Sequence, residues 1–138
     1  MAASERVDSA RAGVSALRIF AVFAALAGAL AVALGAFGAH ALHGVLDDAA
    51  LQVWRTAVDY QFWHALALLM VATQLREMRY ARIAAVLFCA GIVLFCGSLY
   101  ALALGAPRLI GAITPLGGLA FIAGWLAVAL GYLRNPSL

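Results

Sequence analysis

The chain has no lysine, and charged residues of every kind make up only 11% of its 138 positions. An ordinary soluble domain carries roughly a quarter, so too little charge is present to cover a water-facing surface. The formal charge of +3 comes from nine arginines that sit at the ends of apolar segments. That placement reads as membrane topology and excludes nucleic acid as a partner. Cysteine is scarce as well, with Cys89 and Cys96 only. Seven residues along a helix is a rise of about 10 Å, beyond disulfide reach. The two are expected to be small packing residues, and they say nothing about redox compartment. There is no haem-attachment motif, no H-E-x-x-H and no glycine-flanked nucleophile elbow. No catalytic residue, no metal and no cofactor is therefore expected.

What the chain has in excess is apolar length. Hydrophobic residues make up 67% and mean hydropathy is +1.02. Four apolar segments run over 17–39, 57–75, 83–104 and 110–133. Each meets the roughly 20 residues a helix needs to cross hydrocarbon, and none alternates as a barrel strand would. Together they leave no room for a soluble domain, so residues 1–138 are expected to be one transmembrane unit. The first segment has an arginine-containing start and an Ala39-His40-Ala41 triplet, but its apolar core exceeds the 7–15 residues of a secretory signal. With four spans both termini share a side, holding Arg6, Arg11, Arg18, Arg76, Arg79, Arg82 and Arg134. Arg55 and Arg108 fall opposite, with Asp47 and Asp48. Cytoplasmic loops carry the arginine excess, so both ends are expected in the cytoplasm.

Lipid gives helices no hydrophobic reason to associate, so small residues must let their backbones approach. Ala24, Gly28, Ala31, Gly35 and Gly38 form such a seam on the first span, and Gly117, Ala120, Gly124, Ala127 and Gly131 form one on the fourth. Ala84, Gly91, Ser98 and Gly105 make a looser one on the third. Between the first two spans, Leu46, Ala49, Ala50, Val53, Trp54, Ala57 and Val58 recur as on an amphipathic helix over 47–58. Asp47 or Asp48 would cap it, and Trp54 suits the headgroup level. Arg55 and Asp59 are four apart and are read as a charge pair at the outer mouth, although arginine-first is the weaker order.

Counted from the arginine-marked ends, polar side chains gather in the outer half: His40, Tyr60, His64, Ser98, Tyr100 and Thr114, with Pro115 beside them. The inner half holds only Thr73 and Gln74 at its edge. Ionisable groups inside spans are costly and face the protein interior, which singles out His64. The leading reading is a hydrogen-bond network joining His64 to Tyr60, Ser98 or Thr114. Other readings are a proton or solute path, a metal or haem site on His40, His43 and His64, and an intramembrane enzyme with Ser98 or Cys96 as nucleophile and His64 as base.

Four stretches in order carry a resemblance: 35–42 (G-A-F-G-A-H-A-L), 54–69 (W-R-T-A-V-D-Y-Q-F-W-H-A-L-A-L-L), 94–100 (L-F-C-G-S-L-Y) and 111–118 (G-A-I-T-P-L-G-G). Over about residues 16–134 the chain resembles the small inner-membrane proteins grouped as domain of unknown function 423. The resemblance implies a four-helix integral membrane protein and supplies no activity. It marks His40, Trp54, Thr56, Tyr60, His64, Ser98, Tyr100, Thr114 and Pro115 as pattern positions, and Cys96 stands where the pattern has serine.

The expected protein is all-α: an integral membrane four-helix bundle with an amphipathic interfacial helix between the first two spans. It lies in the inner membrane and is not an enzyme. Its partners are the lipid bilayer and, beyond that, a second copy or a membrane partner protein. Its outward-facing polar pocket is expected to bind a small solute, a lipid or a partner. The competing expectation is a proton-coupled transporter or channel for small solutes.

Overall fold

The computed structural model describes residues 2–74 and 80–134, with side chains described from Leu17 onward. Arg76, Arg79 and the end of the second apolar segment at Leu75 lie outside the described residues, as do the side chains of Arg6 and Arg11. Helices account for nearly all the rest, and no strand occurs among the described residues.

Helix α1 covers Ala2–His40, rich in alanine and leucine, the strongest helix formers. Helix α2 covers Asp48–Thr73 without a break. Asp47 is its N-cap, accepting a hydrogen bond from the Ala50 amide at 2.7 Å. The amphipathic segment over 47–58 and the apolar segment over 57–75 are therefore one element, because no glycine or proline stands between Asp48 and Thr73 to interrupt it.

The third apolar segment is built in three parts: α3 (Ala81–Gly91), a π-helical turn (Ile92–Cys96) and α4 (Gly97–Ala103). It ends at Gly105, whose φ of 89° places it in a turn and not on the small-residue seam expected there. A 3-10 turn (Arg108–Ala112) leads into α5 (Thr114–Arg134), with Pro115 in the first turn, where its missing N–H costs nothing. Among the described residues, three stretches are long and apolar enough to cross a membrane: Leu17–His40, Ala81–Ala103 and Arg108–Arg134.

Helix α1 lies along α2, α5 lies along α3 and the π turn, and α2 meets the third segment between them. The core that joins them is centred on Phe88, Leu68, Val71 and Cys96, with Ala24, Ala57, Ala84 and Ala85 closing it. A smaller cluster of Leu42, Leu51, Trp54 and Ala103 sits toward the α1–α2 turn. At the opposite end Arg134 donates to the Tyr80 hydroxyl at 2.8 Å, with its guanidinium 5.9 Å from the ring centroid.

The glycines differ in how much they are needed. A Cβ on Gly117 would run into the Phe95 backbone, and one on Gly124 would lie 2.7 Å from the Phe88 ring. On α1, a Cβ at Gly35 would sit 3.3 Å from Val58, whereas at Gly28 it would sit at an ordinary 3.9 Å from Ala65. Gly28 is thus not required for close approach. Gly117→Val should lower unfolding stability in detergent by about 1–3 kcal/mol or more, since backbone cannot move aside as a side chain can. Gly97→Ala, whose Cβ meets nothing within 4 Å, should change it little, and thermal melts of the two variants check the contrast.

Candidate functional site

Helix α2 carries the polar side chains that reach its neighbours. Trp54 donates its indole N–H to the Leu34 carbonyl at 2.9 Å, and Gln61 donates through Nε2 to the Ala27 carbonyl at 2.8 Å. Donors seven apart on α2 meet acceptors seven apart on α1, so two rungs about 10 Å apart fix the height of one helix on the other. Gln61 is 3% exposed, and its Oε1 accepts from the Tyr100 hydroxyl of α4 at 2.9 Å. One side chain therefore joins three helices. The Tyr100 ring also packs edge-on against Trp54 at 4.7 Å between centroids.

His64 lies one turn further along α2 and reaches α5. Its Nδ1 is 2.8 Å from the Tyr60 carbonyl, and its Nε2 is 3.2 Å from the Trp125 indole nitrogen. A carbonyl can only accept and an indole N–H can only donate. Nδ1 therefore carries the proton, Nε2 accepts, and the imidazole is held neutral. Its ring stacks on Phe121 at 3.5 Å between centroids and 16° between planes. A proton added at Nε2 would face the indole N–H and cost both the bond and a desolvated charge.

A third contact joins α4 to α5. Ser98 donates to the Phe95 carbonyl at 2.9 Å, which leaves Thr114 to donate to the Ser98 oxygen across 2.7 Å. The Phe95 carbonyl belongs to the π turn, a feature common where helices serve a special purpose.

The sequence reading grouped six residues into one polar pocket, and the structure divides them. Ser98 meets Thr114, Tyr100 meets Gln61, and His64 stacks with Tyr60 at 5.8 Å while bonding to Trp125. His40 joins none of them: it is exposed in the last turn of α1, where a basic side chain suits the helix end and water. Arg55 and Asp59 form no ion pair among the described residues. Both are exposed, and the arginine-first order aims the two side chains poorly at each other. No three His, Cys, Asp or Glu side chains stand together among the described residues. Cys89 and Cys96 are free thiols.

Gln61 and Trp125 were missed as site residues. The signal for both was present, since an amide or an indole N–H buried in an apolar run must find a partner.

A cleft of about 490 Å³ lies between α1 and the third segment. Phe23, Leu26 and Leu30 form one wall and Ile92, Val93 and Gly97 the other, with Gln61 and Tyr100 as its polar floor. A second cleft of about 310 Å³ lies between α1 and α2 and includes Asp59.

A family model described as "Protein of unknown function (DUF423)" matches residues 34–118. The UPF0382 membrane protein YwdK of Bacillus subtilis is 45% identical over 121 residues, covering 86% of this chain and 98% of that protein. A UPF0382 membrane protein of Haemophilus influenzae is 45% identical over 115 residues, covering 83% and 93%. The UPF0382 inner membrane protein YgdD of Escherichia coli is 42% identical over 119 residues, covering 85% and 91%. No solved structure matches the chain.

Gln61→Leu removes two bonds between helices and should lower unfolding stability by about 1–2 kcal/mol, on membrane-protein values of roughly 0.6 per interhelical bond with a maximum near 1.7. Tyr100→Phe, which leaves Gln61 its bond to Ala27, should cost about half as much in the same detergent titration.

Proposed function

The chain belongs to the DUF423 family of membrane proteins, and from that premise we propose a four-span, non-catalytic protein that holds a lipid hydrocarbon chain in the cleft between α1 and the third segment. In this reading α2 is the fourth span. Its 26 residues exceed the roughly 20 needed, and its Gln61 and His64 are turned toward α1, α4 and α5. The protein resides in the inner membrane with both termini in the cytoplasm, as the arginine distribution favours.

The observation that carries the proposal is the cleft between α1 and the third segment. Its volume falls within the 300–1,000 Å³ of ordinary ligand sites. Its walls are apolar, and their outer residues Leu26, Leu30 and Val93 are exposed to the surroundings. In a bilayer those surroundings are acyl chains. Its polar floor is already bonded internally, so a hydrocarbon guest leaves no donor or acceptor orphaned. Catalysis finds no comparable support, since Ser98, Thr114 and both His64 nitrogens are engaged with other helix groups. The same engagement of His64 weighs against a proton relay through it.

Gly97→Leu projects a side chain into the cleft from a position with room for a Cβ. After purification in mild detergent it should carry about one tightly held lipid fewer per chain than wild type, counted by mass spectrometry. Equal lipid content in two equally stable proteins would sink the reading. For topology, Val45→Cys in a background without Cys89 and Cys96 should react with an impermeant maleimide in intact cells. Ser137→Cys should react only after lysis.

A further inference from the structure

The second cleft holds a carboxylate with nothing to answer it. Asp59 lines it with Val32, Gly35 and Ala36 of α1 and with Phe62 and Trp63 of α2. The carboxylate has neither an ion pair nor a hydrogen bond among the described residues. Ala31, Gly35 and Ala36 keep most of the α1 wall low, with Val32 the one larger side chain on it. Trp63 is 55% exposed and Phe62 38% exposed on the flank. Gly35 stands five residues before the end of α1 at His40, a rise of about 7 Å. With α2 in the membrane, Asp59 then lies just beneath the outer end of α1, where lipid headgroups meet acyl chains.

A charge in that layer is costly unless a counter-charge reaches it. Arg55, the nearest cation on the same helix, is exposed and does not turn to it. The counter-charge must then come from the lipid side. We infer that Asp59, with Trp63 and Phe62 beside it, forms a binding site for the primary ammonium headgroup of a phospholipid. A primary ammonium has three N–H donors for the carboxylate oxygens and is drawn to the face of an indole. A quaternary ammonium keeps the charge and the ring contact but has no N–H to donate to the carboxylate, and an anionic headgroup is repelled. The site lies on the opposite side of the α1–α2 contact from the cleft of about 490 Å³. It depends on α2 lying in the membrane, but not on that cleft being occupied.

The test uses full-length protein reconstituted into vesicles of phosphatidylethanolamine, phosphatidylcholine and phosphatidylglycerol in equal parts. The protein is re-extracted in mild detergent and its retained lipid quantified by mass spectrometry. Wild type should retain phosphatidylethanolamine roughly threefold or more above either competitor, as one exposed hydrogen bond to the carboxylate predicts. Asp59→Asn should bring phosphatidylethanolamine level with phosphatidylcholine, Asp59→Glu should keep the preference, and Gly97→Leu should lower total lipid without altering it. No preference in wild type overturns the site without any variant being needed. Equal retention of phosphatidylcholine overturns the primary-amine assignment. A preference that survives Asp59→Asn removes Asp59 from it. A cross-linkable dimer lost in Asp59→Asn would also overturn it, because a basic group of a second copy would then hold the carboxylate.

Discussion

A buried polar group has only the protein to bond with, and Gln61 is where this fold meets that constraint most fully. Its amide gives a hydrogen bond to α1 and its carbonyl receives one from α4, while the side chain itself belongs to α2. The other polar contacts between helices follow the same rule at lower multiplicity. His64 reaches α5 through Trp125, and Ser98 reaches Thr114. Small residues decide how closely two helices approach, and polar residues decide at what height they stop sliding. Neither set would do alone: alanine seams are permissive along their length, and a single hydrogen bond leaves the spacing free.

Features governed by local chemistry could be read from the sequence. The long apolar stretches and the Asp47 cap follow from composition and capping. The family resemblance was equally plain in four short stretches. The candidate site was read less well, because depth is legible and helix rotation is not. Counting residues from the arginines put Tyr60, His64, Ser98 and Tyr100 at similar heights, but which neighbour each one faces depends on how the helices turn about their axes. Gln61 is one position from Tyr60 and faces a different helix. Trp125 looked like one more apolar residue and supplies the donor that fixes His64.

Helix α1 is tied to α2 by two bonds to its own backbone carbonyls, at Ala27 and Leu34. A carbonyl acceptor is offered by every residue type. The residues on α1 are thereby released to line clefts on both flanks: Leu26 and Leu30 on one side, Val32, Gly35 and Ala36 on the other. This leaves α1 the helix most in contact with whatever the bilayer presents.

The π turn at Ile92–Cys96 has a consequence for the half-segment that follows it. One additional residue in a turn advances the angular phase of everything downstream by about 100° compared with an uninterrupted α-helix. Phe88 nests on Gly124 before the turn, and Ser98, ten positions later, addresses Thr114 of the same partner helix after it. A relative shorter by a single residue in this stretch would have an almost identical hydropathy trace, yet it would present its serine and tyrosine to the wrong azimuth. In this chain residue count, more than residue type, carries the instruction there.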